Sequence, residues 1–376
     1  MIVDGAIAAK IAASMGVLLL SIATSSADSV KPRVAGPFPE GMDTWLPSTS
    51  NGSAVHDSTL RVGTLTGVAD VALVRFDLSG LPQRANVAYL WLYASPYAGT
   101  TPAAMNWYRI TSPWHSGTVK WATQPSSIAL VQTIPPKAPG WYRLDITTTY
   151  NQWRSGSASS LNFGLRIGGT LATNNLFNMF SSSSAQGNRP QLDVYYTPQA
   201  NDSILKLKWP LATPYATRFP TQKFKDDWSA NKYCNGLIEK HNGTDFRAAP
   251  GTGVFSAEDG VVKEILLPSE TEGWAYNIVL EHQHPLNGKY TTVYWHVTPV
   301  PDLLSNRGFV PKGMQIATVA NLSPPHASHF HFGVRIGEYV QHLSGTGALP
   351  QTVCGGHQAF PAGFIDPNNT NNVIFQ

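Results

Sequence analysis

Ala88-Tyr89-Leu90-Trp91-Leu92-Tyr93 alternates aliphatic and aromatic residues over six positions. Successive side chains of an extended chain point to opposite faces, so this run predicts a strand. Gln191-Leu192-Asp193-Val194-Tyr195-Tyr196 repeats the pattern, and turn clusters such as Leu78-Ser79-Gly80-Leu81-Pro82 and Ser155-Gly156-Ser157 separate such runs. Many short strands without a helical period predict an antiparallel β-sandwich, jelly-roll-like, over residues 43–198. The rest of the composition agrees. The chain has 376 residues with 32 glycines and 28 prolines, about one residue in six, which excludes long helical bundles and coiled coils. Its length suggests two or three domains. Charged residues are only 13%, against the ~25% of ordinary soluble domains. A hydrophobic content of 42% still supports folded cores. The net charge is +3 with no basic run, so no nucleic-acid partner is expected.

The first residues read as an export leader. Lys10 precedes the apolar run 11–22, and Ser25-Ser26-Ala27 supplies small residues for cleavage, which places a signal peptide at 1–27 and a flexible leader at 28–42. The apolar run is shorter than the ~20 residues a bilayer requires, so no stable membrane insertion is expected. The mature chain is expected to be secreted or held in the periplasm or cell envelope. Within 43–198 no paired carboxylates, Ser-His-Asp pattern or metal spacing stands out. His56 and His115 are isolated and read as surface or satisfied structural histidines. Trp45, Trp91, Trp107, Trp114, Trp121, Trp141 and Trp153 are assigned to the core.

A polar linker at 199–204 leads to a second β-rich domain at 205–340 and a C-terminal extension at 341–376. Nine of the eleven histidines lie here. His241-Asn242-Gly243-Thr244-Asp245 sets an imidazole and a carboxylate four residues apart, with a glycine that permits a tight bend. In His329-Phe330-His331 the two imidazoles share one face of a strand, with Phe330 opposite. Tyr294-Trp295-His296 ends another alternating run and brings a further imidazole. Two nitrogens and one carboxylate oxygen suit a hydrolytic zinc site, in which bound water has its pKa lowered to about 7. His282-Gln283-His284 has the same spacing but runs into Pro285, where Pro-Leu-Asn-Gly reads as a turn, and it is not taken as a ligand pair.

The order of these pieces resembles the lysostaphin-type (LytM-like) zinc endopeptidases. The likeness is carried by 241–252, by Ala257-Glu258-Asp259-Gly260-Val261-Val262, by Tyr276 to His282, by Thr292 to His296, by Val310 to Ala317, by His329-Phe330-His331-Phe332 and by Phe364-Ile365-Asp366-Pro367. The resemblance implies a β-rich domain with a zinc groove, one Zn2+ held by His241, Asp245 and His331, and His296 and His329 as the unligated catalytic pair. It implies a secreted zinc metalloendopeptidase acting on bacterial peptidoglycan. The alternative is a catalytically silent wall-binding or regulatory relative. Asn321 to Ser328 and Gly333 depart from the family pattern, and so does the insertion at 267–273.

The first half resembles DNRLRE (disaggregatase-related) domains, through Leu73 to Pro82, Ala88 to Tyr93, Trp114 to Pro125, Trp141 to Trp153 and Arg189 to Leu192. That likeness implies a module attaching the protein to wall polysaccharide or another glycan. Cys234 and Cys354 lack a C-x-x-C partner, which argues against a zinc ribbon. An intramolecular disulfide between them is expected, and closing a loop of about 120 residues would contribute on the order of 4–5 kcal/mol.

Overall fold

A computed structural model describes residues 26–30, 43–49, 52–94, 98–99, 105–133, 139–169, 175–180, 189–197, 199, 201–226, 241–270, 275–284, 287–322, 327–340 and 363–376. The leader run 11–22, Cys234, Cys354 and His326 lie outside the described residues.

The first half runs β1 (Ser26–Val30), β2 (Asp43–Pro47), β3 (Thr59–Leu65), β4 (Val68–Val74), β5 (Val87–Ala94), β6 (Ala98–Gly99) and β7 (Met105–Ile110). It continues through β8 (Ser127–Thr133), β9 (Gly140–Asp145), helix α1 (Thr147–Arg154), β10 (Leu165–Gly169), β11 (Asn175–Phe180) and β12 (Gln191–Tyr196). All its strand pairings are antiparallel, as expected. One layer is β1-β12-β5 with β9 on the other side of β5, and the second is β11-β3-β4-β10-β7-β8. Among the described residues, they join where Met179 meets Ala94. Both layers send alternate residues into one core, Ala88, Leu90, Leu92, Leu192 and Val194 from the first and Leu60, Val62, Ala72, Val74 and Ile167 from the second. Strand β1 begins inside the segment read as leader, its Ser26 opposite Tyr196.

The tryptophan expectation holds for Trp45, Trp107, Trp114 and Trp153, all buried. It fails for Trp141, which is 40% exposed, while Trp91 and Trp121 are half-buried. The reason is register: positions 89, 91, 93, 141 and 143 fall on the outward side of β5 and β9, while Ala88, Leu90, Leu92 and Leu144 point into the core.

The second half runs β13 (Leu205–Leu207), β14 (Pro220–Gln222), β15 (Thr244–Arg247), β16 (Gly253–Phe255), β17 (Gly260–Leu266) and β18 (Tyr276–His284). Then come β19 (Gly288–Pro299), helix α2 (Pro301–Ser305), β20 (Phe309–Val310), β21 (Gln315–Val319), β22 (His329–Ile336), β23 (Phe364–Ile365) and β24 (Val373–Phe375). Its main sheet has the order β14-β15-β22-β19-β18-β17-β20. The extension past residue 340 returns to this body: β23 pairs with β22, and β24 runs parallel to β13. Among the described residues no helix is long and apolar enough to cross a membrane.

The two halves are locked by a buried polar seam. The Arg154 guanidinium at the end of α1 donates to both Glu258 carboxylate oxygens at 2.6 and 3.2 Å, and both residues are fully buried. Gln83 donates to Glu258 at 2.9 Å, and Lys312 bonds the Gln83 carbonyl oxygen at 3.0 Å. Asn162 and the Leu78 amide donate to Asp259 from the sandwich, and the Lys312 amide donates from the other side. His115 reaches Asp302 at 3.1 Å. Burial pushes the Glu258 carboxyl up, but the Arg154 and Lys312 charges overcome it and hold the group below its ordinary value. Two expected structural histidines are thus satisfied, since His56 also bonds the Ser116 carbonyl at 3.0 Å.

Candidate metal centre

The site is assembled by register between three strands. β15 and β22 pair so that Asp245 stands directly opposite His331, and Arg247 opposite His329. On its other side β22 pairs with β19, which sets Trp295 opposite His331. Phe330 and Phe332, between and beyond the two histidines, are buried in the core, so the H-x-H anchors itself by its alternate residues.

Three donor atoms converge. His241 Nε2 lies 2.9 Å from His331 Nδ1, His331 Nδ1 lies 3.0 Å from Asp245 Oδ1, and His241 Nε2 lies 3.2 Å from the same oxygen. All three residues are buried, and together they form a group able to hold a metal ion. Zinc ligands at ~2.0–2.1 Å in a tetrahedral arrangement sit roughly 3.3 Å from one another, close to the separations observed. Two further features fit a cation. The His241 Nδ1 proton is committed to the Lys223 carbonyl at 3.1 Å, which leaves the Nε2 lone pair facing the centre. Burial also pulls the His331 imidazole below its ordinary value, favouring the neutral ring that ligates.

The electrostatics of Asp245 are set by its neighbours. Burial alone would raise its carboxyl, but His241 and His331, whenever they carry a proton on the nitrogen that faces it, hold it well below the usual carboxylate range. It is therefore an anion in a buried site with two imidazoles for company. Gly243 makes this closeness possible. A Cβ there would lie 2.5 Å from the Phe332 carbonyl oxygen and 2.6 Å from His331 Nε2, so close approach explains the glycine. The chain does bend at Asn242 and Gly243, without left-handed backbone at the glycine.

His329 and His296 flank the centre. His329 Nε2 lies 3.5 Å from Asp245 Oδ2, and its side chain keeps 18% of its surface exposed. Its Nδ1 donates to the Ala327 carbonyl at 2.8 Å, leaving Nε2 as the basic nitrogen on the groove side. His296 owes its position to a β-bulge. Trp295 and Val297 pair with the consecutive residues Asn277 and Tyr276, so His296 is the extra residue, at φ 61°. Strict alternation would turn His296 away from the face that Trp295 shares with His331. The bulge instead stacks its ring on Trp295 at 4.8 Å and brings it 4.4 Å from His329 and 6.4 Å from His331, between ring centroids. A left-handed non-glycine residue is costly, and such strain concentrates at functional positions.

All five residues singled out by sequence therefore meet in one place. The control pair does not. His282 is fully buried, its Nδ1 bonded to the Asp259 carbonyl at 2.8 Å and its Nε2 to Thr292 Oγ1 at 2.7 Å. Sequence reading missed the Lys223 carbonyl and the bulge. The first is a backbone group with no residue-type signal, and the second depends on how three strands pair.

The second half matches peptidase family M23, over residues 239–342. In the first half, residues 38–196 match carbohydrate-binding module family 96, a match that does not itself show the DNRLRE resemblance. No curated protein matches the chain. Among solved structures, the catalytic domain of lysostaphin from Staphylococcus simulans is 16% identical, with 40% of this chain and 90% of that domain covered at a TM-score of 0.28. A zinc-containing peptidase from Vibrio cholerae is 23% identical, with 43% and 48% covered at 0.28. Csd3 from Helicobacter pylori is 15% identical, with 71% and 68% covered at 0.25. The chain spans 45% of the length of lysostaphin as a whole.

Proposed function

We propose that this chain is a zinc metalloendopeptidase that hydrolyses peptide bonds of bacterial peptidoglycan, with a glycan-binding sandwich docked on the catalytic half. One observation carries the reading: two imidazole nitrogens and one carboxylate oxygen converge within 2.9–3.2 Å, in the half that matches peptidase family M23. His241, Asp245 and His331 would hold the ion. Zinc bound there supplies Lewis acidity toward the scissile carbonyl and an acidified water as nucleophile. His329, with Nδ1 tied to the Ala327 carbonyl, would take a proton from the attacking water through Nε2 and return it to the leaving amine. His296, held by its bulge beside His329, is oriented to donate to the oxyanion that develops as the carbonyl is attacked. Breaking the C–N bond then releases a carboxylate and an amine.

The test is zymography of the full chain on purified walls, with mass analysis of the fragments and metal content by atomic emission. New amine and carboxylate ends on the peptide stems, together with one zinc per chain, support the reading. A zinc-loaded protein that leaves walls intact supports the silent alternative. A protein that takes up no zinc ends the reading.

Export by a leader ending at Ala27 belongs to the same proposal and places the protein outside the cell or in its envelope. Cleavage there leaves Asp28, Ser29 and Val30 of β1 to pair with β12. A Cys234–Cys354 disulfide is proposed with it, and an intact mass without the two-hydrogen deficit would refute that bridge.

A further inference from the structure

The strand that supplies Asp245 carries a second charged residue on the same side. Asp245 and Arg247 are two apart on β15 and share a face, while Thr244 and Phe246 turn the other way, Phe246 into the core. Both pair across to β22, Asp245 with His331 and Arg247 with His329. Residues two apart on a strand lie about 6.7 Å from each other, and directly opposed residues have Cβ atoms about 5 Å apart. Arg247 therefore stands one step along the groove from the metal centre, immediately beside His329.

Its surroundings differ from those of its neighbours. Asp245 and His331 are buried, whereas Arg247 is exposed, and among the described residues its guanidinium has no hydrogen-bond, ion-pair or ring partner. Asp245 is already held by the imidazoles of His241, His329 and His331. Other basic side chains of the sheet are engaged. Arg335, on the same face of β22, bonds the Glu338 carbonyl at 2.8 Å, and Lys263 and Lys289 both reach Glu281 at 3.5 Å. At the outer edge the Arg247 amide donates to the Phe219 carbonyl at 2.9 Å, and the Phe219 side chain is 61% exposed. The groove thus continues past His329 into a cation without a partner and an uncovered apolar residue.

These features define what the cation would take. A guanidinium offers a planar fork of N–H donors and no acceptor, which matches the two oxygens of a carboxylate. An extended peptide advances about 3.3–3.6 Å per residue, so a step of about 6.7 Å places that carboxylate about two residues from the scissile bond. The side is set by His329, the residue assigned to return a proton to the leaving amine. Arg247 lies opposite it and so faces the part of the substrate that leaves with the amine.

We propose that Arg247 is a specificity-determining residue of the groove, binding a substrate carboxylate on the leaving-amine side of the scissile bond. The inference rests on the peptidase reading and adds the charged group that the groove selects. The carboxylate is either the free C-terminus of a peptide stem or an internal carboxyl of that stem.

The test is calorimetric titration of the zinc-loaded full chain with three synthetic stem tetrapeptides, their integrity checked by mass. One has all carboxyls free, one is amidated only at the C-terminus, and one is amidated only at its internal carboxyl. Wild type is expected to bind the free form about tenfold more tightly than one of the amidated forms, the scale of a charge-assisted hydrogen bond, and the weaker form identifies the source. Arg247→Ala should bind all three with the same weak affinity, and Arg247→Lys should recover part of the difference, since it keeps the charge without the fork. Zinc content should be equal in the three proteins. Wild type binding all three peptides alike, or none of them, overturns the assignment, and so does Arg247→Ala with the discrimination of wild type. Wall lysis and zinc content are read separately, so the peptidase reading stands or falls on its own measurement.

Discussion

Two H-x-H strands in the same sheet have opposite fates. His282-Gln283-His284 ends β18, and His329-Phe330-His331 begins β22, each strand hydrogen-bonded to β19. Spacing does not separate them. The difference is what the next strand brings opposite. His331 faces Asp245 across the β15 pairing, and His241 closes the group of three donors. His282 faces Tyr290, whose ring stacks on it at 4.8 Å, and both its nitrogens are consumed by protein oxygens. His284 accepts from the Asn287 amide at 3.0 Å and is likewise buried. The first pair belongs to the seam between the halves, where Asp259 and Glu258 find Arg154 and Lys312. The second belongs to a groove whose carboxylate lies against the imidazoles of His241, His329 and His331. A buried anion held by guanidinium and ammonium groups makes structure; one that converges with two imidazole nitrogens offers a ligand set.

The sharpest way to break this comparison is to remove a donor. His331→Ala or Asp245→Ala is expected to lose bound zinc and all measurable wall lysis, read by atomic emission beside turbidity of a wall suspension. Retained zinc in either variant would reassign the centre.

The next effect lies on the other side. Arg154→Ala leaves Glu258 buried without its main partner, and breaking such a pair costs about 3–5 kcal/mol. Chemical denaturation should show that loss, while zinc per folded chain stays the same. A change below 1 kcal/mol would mean the seam is not what holds the halves together.

Third, His329→Ala and His296→Ala should keep most of the zinc and lose about 10²-fold in rate, the scale of general acid–base assistance. A zinc-free His329→Ala would merge the two roles that the geometry separates.

The smallest effect tests the control pair. His282→Phe leaves the Asp259 carbonyl unpaired and should cost about 1–3 kcal/mol with zinc and rate unchanged. It should also alter the pH profile. Burial holds the His282 imidazole below its ordinary value, so the unfolded chain takes up that proton first as the pH falls. Its contribution to stability is whole above about pH 6.5 and is lost as the pH drops toward the depressed folded value. The variant, less stable at pH 8, should therefore lose less than wild type between pH 8 and 5, measured by thermal unfolding. Parallel profiles would show that His282 does not contribute this dependence.

Residue types and their periods determined a good deal by themselves. Alternation in Ala88 to Tyr93 and Gln191 to Tyr196 was enough for the strands, because the period of two is a local property of extended backbone. The H-x-H at 329 and 331 shares a face for the same local reason. The ordered words from His241 to Asp366 were enough to nominate the five site residues.

Tertiary structure alone decided the rest. Pairing of β22 with β15 and β19 set Asp245 and Trp295 against His331, and pairing is long-range. The bulge at His296 reverses what alternation would give, because β19 there gains a residue relative to β18. The same long-range register turned Trp141 out to solvent although its composition suits a core. It also joined Arg154 to Glu258, 104 positions apart in sequence. Neither residue's neighbours in sequence indicate that partner, since a buried charge is explained only by what folding carries to it.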